Sequence, residues 1–350
     1  MLPCQPLAVT LPYMGDADGD VRHSIKDARR RNFSSVLQQP SPHFNSTMAT
    51  TTIKIGYVPE HFSTPLYIAR DQGFFEENSV SVQLVCCPGG TGEMTQKLQN
   101  REIDLAIALT EGLVAGISKG QDWYKIVGTY VDAPLCWAIS TGSQSKHGSI
   151  DTLNHSKVAI SRYGSGSHIM AYVLADQQGW LESNNSGESD VYGFNVLNNF
   201  QAMRDSVNDG SSDFFMWETF TTKPYHDSGE VRRIGQITPP WPAFLFAAHV
   251  DLLQNHAADL QRTLKAIQKA TNLFMAQKED TSVQLVMNIL NYKEEDVRNW
   301  FKTVSYAKDH SHVSSRALQV TVSTLIKAGV VNAPGPSPES LCDLQVAVLE

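Results

Sequence analysis

Basic residues are scarce in this chain. Its 350 residues hold 28 lysines and arginines against 36 aspartates and glutamates, a net charge of −8. Non-specific nucleic-acid binding needs a basic face, so no nucleic-acid partner is expected. No apolar run approaches the ~18 residues of a membrane-spanning helix, so no membrane partner is expected. The five cysteines, Cys4, Cys86, Cys87, Cys136 and Cys342, make an odd count with no CxxC. That favours reduced thiols over a disulfide framework or a zinc site. Eleven histidines are scattered without an HExxH, so neither a metal nor a cofactor is expected. An apolar core after the first Met is also missing, which argues against a secretory signal.

Residues 1–50 are rich in Pro, Ser, Asp and Arg with little periodicity, and read as a disordered extension. "DARRRNFSSV" has the basic character of a mitochondrial presequence, but Asp16, Asp18 and Asp20 precede it, and such peptides are poor in acids. Cytoplasm is the expected location, with the mitochondrion as alternative. Met48, just before "ATTTIKIGYV", reads as a possible start site.

From Ile53 onward the signals are regular. "IKIGYV" reads as a strand. Thr64 then Pro65 reads as an N-cap followed by proline at the first helical position, and Gly73 as the stop. "VSVQLV" alternates as a strand should. The turn "PGGTG" leads to a helix over Met94 and Leu98, and "IDLAIAL" is the continuous apolar run of a buried parallel strand. "KVAIS", a Gly-Ser turn, a helix, "VYGFNV", a helix over Phe200 to Val207 and "DFFMW" repeat that grammar. Asp104 and Asp213 each precede an apolar run, one ending at Thr110–Glu111 and the other at Trp217–Glu218. This weak symmetry fits two similar α/β lobes of roughly 100–200 residues each, with mostly parallel sheets. "WYKIVGTYV", "PLCWAIS", "VRRIGQI" and "FLFAAHV" are candidate strands crossing between lobes. After His249, helical spacing dominates, with stops at Asn291 and Gly329. The expected organisation is the extension 1–50, first lobe 51–135, second lobe 136–240, and a return to the first lobe over 241–350 with a C-terminal helical cluster.

Three features carry candidate chemistry. In "VAISRYGSGSHIM" a strand runs into a small-residue turn and then a helix, the arrangement that presents backbone N–H groups to an anion. Ile169 stands where a GxGxxG motif needs its third glycine, no Walker lysine follows, and GxSxG is absent. Ser165, Gly166, Ser167 and His168 remain as an anion cradle, or as an ordinary capped helix. "PGGTGEM" offers Gly90, Thr91 and Gly92, with Thr91 a candidate cap; alone it is a turn. Glu111 and Glu218 end apolar strands, at the edge where open α/β sheets bind ligands. They can act as an acid–base pair, grip an amine, or simply favour a helix dipole. Trp217 can stack on a ligand ring or be core. Trp241, in "PPWPAFLF", reads as stiffening a hinge.

"IKIGYVPEHFSTPLYIARDQGFFEENSVSVQLVCCPGGTGEMTQKLQNREIDLAIAL" resembles the opening lobe of type II periplasmic-binding-protein folds. The shared pattern includes "A-x-x-x-G-F-F" (Ala69, Gly73, Phe74, Phe75) and "I-D-L-A", and "L-N-H-S-K-V-A-I-S" with "G-S-G-S-H" fit the second lobe. The branch it resembles holds alkanesulfonate-, nitrate- and thiamine-precursor-binding proteins with the fungal thiamine pyrimidine synthases. Within it the chain looks closest to fungal cytosolic binding-protein-like chains. The resemblance spans Ile53 to Gly329 and implies a two-lobed α/β fold closing on a small molecule at a hinge. The ligand-facing turns it implies are Glu60–His61, Gly90–Gly92, Thr110–Gly112, Ser165–His168 and Trp217–Glu218.

The departures bear on catalysis. The pyrimidine synthases carry a lysine for pyridoxal phosphate in the third strand, a substrate histidine four residues on, and a cysteine cluster. Aligned on "I-D", this chain has Ala108 and Gly112 at the first two positions and "PPWPAF" in place of the third. No lysine lies between Lys97 and Lys119, so no Schiff base is available. The expected function is therefore non-catalytic binding of a polar metabolite, anionic or amine-bearing, such as a sulfonate or a pyrimidine thiamine precursor. The alternatives are an enzyme of thiamine-pyrimidine type or one using Glu111, Glu218, His61 or His168 as acid and base, and an interaction scaffold.

Overall fold

The structure is a computed structural model that describes residues 51–183 and 191–350; the expectation for residues 1–50 lies outside the described residues. In chain order, a first run comprises β1 (Thr52–Tyr57), α1 (Thr64–Asp71), α2 (Phe74–Glu77), β2 (Ser81–Cys86), α3 (Thr91–Gln99), β3 (Leu105–Leu109), α4 (Thr110–Ser118) and β4 (Tyr124–Val131). A second comprises β5 (Trp137–Gly142), β6 (Lys157–Ile160), α5 (Gly166–Gln177), α6 (Trp180–Ser183), β7 (Gly193–Val196), α7 (Phe200–Asn208), β8 (Phe214–Glu218), α8 (Thr219–Asp227) and β9 (Val231–Ile237). A third comprises β10 (Phe244–His249), α9 (Val250–Ala276), α10 (Thr281–Leu290), α11 (Glu294–Phe301) and α12 (Ser315–Lys327).

Two five-stranded sheets result, ordered β2-β1-β3-β10-β4 and β7-β6-β8-β5-β9. Each is mixed rather than mostly parallel. β1 runs parallel to β2 and β3, whereas β10 lies antiparallel between β3 and β4. In the second sheet β5 is antiparallel to both β8 and β9. The inserted strands arrive from the other lobe, so their direction is set by the crossover and not by a βαβ connection. The chain leaves the first sheet after Val131 and returns at Phe244, and both crossings run side by side: Ala243 N donates to Ala133 O at 3.1 Å.

The repeated aspartates explain why the lobes share a grammar. Asp104 Oδ2 accepts the Lys54 N–H at 2.8 Å, and Asp104 N donates to Lys54 O. Asp213 makes the same pair of bonds with Lys157. Each clamps the start of a central strand to its parallel neighbour. Six residues on, Thr110 Oγ1 donates to Pro242 O, and Thr219 Oγ1 donates to Cys136 O. Each central strand is thereby fixed at its far end to a crossover.

The C-terminal helices pack against the first lobe through α9 on α1 and α2, and α12 bridges α4 and α5. Ile53, Ile55, Leu66, Leu105 and Phe246 are fully buried in a core that α9 closes with Leu260, Ile267 and Phe274. Two local expectations shift by one residue. Ser63, not Thr64, precedes α1, and Thr64 Oγ1 instead donates to His61 O at 2.8 Å. Gly90 precedes α3 with φ 68°, and Thr91 Oγ1 accepts the Leu109 N–H at 3.0 Å instead of capping. Among the described residues Cys87, Cys136 and Cys342 are free thiols.

Candidate functional site

A cleft with a cavity of about 120 Å³ opens between the two sheets, at the ends of β1, β3, β6 and β8. On the second-lobe side its wall is the strand–turn–helix "SRYGSGS". The hydroxyls there are engaged locally: Ser165 Oγ donates to Arg162 O at 2.7 Å, and Ser167 Oγ accepts the Ser161 N–H at 3.1 Å. These bonds hold the turn at the cleft; Ser165 Oγ also caps α5 by accepting the His168 N–H, which leaves the Gly166 and Ser167 N–H groups of the first turn without an intrahelical partner. Gly166 is required there, because a Cβ would run into the Trp137 ring and come within 3.0 Å of Leu109 of the opposite lobe.

Arg162 is the cation of this wall. Its guanidinium lies directly over Gly92 of the first lobe, where any Cβ would overlap it. Burial pushes it below its ordinary pKa, and among the described residues no carboxylate forms an ion pair with it. Lys119 approaches the same turn from outside, 3.9 Å from the position a Gly164 Cβ would take. Trp137 lines the cleft with its Nε1 buried and without a hydrogen-bond partner.

The other wall is acidic. Glu60 follows β1 and Glu218 ends β8, so the two carboxyls come from opposite lobes. Glu218 Oε2 accepts the Thr221 N–H at 2.6 Å and caps α8. Burial pushes Glu218 up to about 7 despite the opposing N–H bonds of α8. Burial, with the Glu218 charge second, pushes Glu60 up to about 8. Behind them His61 is fully buried with neither ring nitrogen hydrogen-bonded, and its Nε2 stands 3.9 Å from Glu218 Oε1. Its ring packs against Phe62, Tyr292 and Trp300 at 4.4, 5.5 and 4.6 Å between centroids. Burial drives this imidazole down to about 3, so it is neutral.

The sequence-derived candidates divide accordingly. Glu60, Gly90, Thr91, Ser165, Gly166, Ser167, Trp217 and Glu218 line the cleft. Gly92 sits beneath Arg162, and His61 stands behind Glu218. Three lie elsewhere. Thr110 is consumed by the crossover. Glu111 is buried, its Oε2 accepting the Trp241 N–H at 3.0 Å and its Oε1 unpartnered. Burial pushes it up to about 7. His168 Nδ1 accepts the Gly164 N–H at 3.2 Å, with the ring among Tyr163, Tyr172 and Phe194; burial, then Lys119, lowers it to about 4. The pairing of Glu111 with Glu218 therefore fails. Counted from the two aspartates, Glu218 corresponds to Leu109, and Glu111 lies one helical position beyond Thr110. Sequence reasoning missed Arg162, Trp137, Asn199 and Phe244. Arg162 had a signal: it is the one permanently charged residue in "VAISRYGSGSHIM".

Among the described residues no cluster of three or more His, Cys, Asp or Glu could hold a metal ion, and no helix is long and apolar enough to cross a membrane.

Residues 137–237 match the Ca3427-like periplasmic-binding-protein family, and residues 46–163 match the NMT1-like family. The chain is similar to the structure of the Candida albicans CA3427 gene product, at 35% identity and TM-score 0.75 over 83% of this chain and 93% of that one. It is similar in fold to the alkanesulfonate-binding protein SsuA of Xanthomonas axonopodis pv. citri, solved bound to MOPS, at 16% identity and TM-score 0.65 over 85% and 98%. The periplasmic nitrate-binding protein NrtA of Synechocystis PCC 6803 is similar at 16% identity and TM-score 0.60 over 82% and 83%. No curated protein matches the chain by sequence.

Proposed function

This chain belongs to the family that the Candida albicans CA3427 gene product defines, with the generic periplasmic-binding-protein fold, and on that premise we propose that it binds a small anionic metabolite in the interlobe cleft without transforming it. The observation that carries this reading is Arg162, a guanidinium without a carboxylate partner among the described residues, beside the first turn of α5 at the cleft wall. A planar fork of donors next to free helix N–H groups is suited to a sulfonate, phosphate or carboxylate. The alkanesulfonate and nitrate ligands of the fold relatives are anions of this kind. Pyrimidine thiamine precursors bearing phosphate fit the same description.

The absence of turnover is supported by the third strand. Ala108 is buried within β3, and Gly112 packs so closely on Thr91 that no side chain fits there. Neither position can supply an amine or an imidazole. An acid–base enzyme would draw on Glu60 and Glu218, and a bell-shaped pH–rate profile with any substrate would favour it.

Native mass spectrometry of gently purified protein, beside the Arg162→Gln variant, tests the reading. A co-purifying small mass that disappears in the variant supports it, and thermal-shift panels of sulfonates, phosphates and pyrimidines then define the class. Bare protein in both samples, with no shift from any anion, removes it.

A further inference from the structure

The cleft has two charged ends that do not compensate each other. Among the described residues Arg162 pairs with no carboxylate, and Glu60 and Glu218 pair with no lysine or arginine. Burial shifts Arg162, and the charge acting on Glu60 is that of Glu218. Fully buried His61 adds hydrogen-bonding capacity that no protein group takes up, its Nε2 standing 3.9 Å from Glu218 Oε1. Buried polar atoms are nearly always satisfied, so an imidazole orphaned at both nitrogens marks a place for a polar partner. Beside the carboxyls, Trp217 stacks on Phe200 at 5.0 Å and presents the kind of π face that attracts cations.

We propose that Glu60 and Glu218 form a cation subsite, so that the ligand is a zwitterion: an anionic head on Arg162 and the first turn of α5, and a protonated amine between the two carboxylates beside Trp217. This deepens the anion-binding reading above and rests on it. Two carboxyls brought together from opposite lobes are reconciled by a proton or by a cation. An ammonium group has three donors and can serve both carboxylates at once. Its arrival lets both ionise, so binding of the amine releases protons near neutral pH. The other titratable groups facing the pair are His61, held neutral by burial, and Tyr292 from the α10–α11 connection, pushed above its ordinary value by burial and by Glu218; neither supplies a positive charge.

The test uses isothermal titration calorimetry of the full chain with two matched pairs, taurine against ethanesulfonate and aminoethylphosphonate against ethylphosphonate. Each titration is run at neutral pH in two buffers of different ionisation enthalpy. The amine-bearing member of a pair is expected to bind about ten- to a hundred-fold more tightly, the range of charge-assisted hydrogen bonds, with a buffer-dependent enthalpy that reports proton release. Glu218→Gln and Glu60→Gln should each erase the difference within a pair; two variants guard against one failing to fold. Equal or tighter binding of the amine-free anions overturns the cation subsite and leaves the anion reading standing. An amine preference that survives both variants overturns the assignment to these residues. Binding of none of the four removes the anion reading and this inference with it.

Discussion

Burial holds three carboxyl groups partly or largely neutral around pH 7: Glu218 and Glu111 at about 7 and Glu60 at about 8. In the unfolded chain each titrates near 4.5, so between these values the folded state binds more protons than the unfolded state. Their contribution is present below the unfolded value and is lost as pH rises through the folded one, by at most about 1.4 kcal/mol per pH unit per group. The buried imidazoles act oppositely. His61 is lowered to about 3, and His168, His226 and His310 to about 4, each first by burial. They bind fewer protons folded than unfolded, and stability is lost as pH falls below about 6.5. Thermal unfolding scans should therefore show a maximum near the ordinary histidine pKa with a decline toward pH 8. Glu111→Gln, which keeps an acceptor for Trp241, should flatten the alkaline decline; an unchanged slope would contradict the assignment. Trp241→Phe should cost about 1–3 kcal/mol in denaturant unfolding by leaving the Glu111 carboxyl without a partner. At this scale the sequence exposed the residue types but not their facing. Glu111 and Glu218 look alike at strand ends, yet one is sealed under Trp241 and the other lines the cleft.

Among the elements, β3 and β8 position everything else. Each is clamped at its start by an aspartate and at its end by a threonine bonded to a crossover. Asp213 carries more than Asp104, since its Oδ1 also meets His147 Nε2 at 3.1 Å. Asp213→Ala leaves both Lys157 N and Nε2 of the buried His147 ring without their acceptor, and should destabilise by about 1–3 kcal/mol. Asp104→Ala should cost less, and denaturant midpoints of the two variants compare them directly. A reversed order would show that the clamp is not what holds the strand. Local patterning reads these strands well, because an apolar run bounded by a polar turn reports burial on both faces. It cannot report that β10 and β5 insert antiparallel, since strand direction is decided by where a crossover returns. The caps lie one residue earlier than Thr64 and Thr91, because the Thr64 hydroxyl bonds the preceding turn at His61 O and the Thr91 hydroxyl serves a tertiary partner, the Leu109 N–H.

For the whole molecule, the lobes approach each other closely at two places: Arg162 over Gly92, and Gly166 against Leu109. A Cβ at Gly92 would displace the Arg162 guanidinium, and one at Gly166 would meet the Trp137 ring at 2.7 Å and Leu109 at 3.0 Å. Gly92→Val should leave each lobe folded, as circular dichroism would verify, while preventing the lobes from meeting around Arg162. Ligand that compacts the native protein in small-angle scattering should then fail to compact the variant, and affinity should fall. Native-like compaction in Gly92→Val would exclude this contact from closure. The crossovers give the hinge its anchoring, since Thr110 and Trp241 tie the returning chain to α4 of the first lobe.

The two lobes around a cleft were legible through the family resemblance, whereas sequence alone determined the α/β grammar, the helical C-terminal third and the small-residue turns. These follow from hydrophobic period, glycine and proline placement and capping chemistry, all of which act within about ten residues along the chain. Tertiary structure decided the charge pattern of the cleft. Glu111 is withdrawn by a tryptophan 130 residues away, Glu60 is set opposite Glu218, and Arg162 is brought against the other lobe. An ion pair or a buried bond depends on through-space distance between segments far apart in sequence, and no local period encodes that distance.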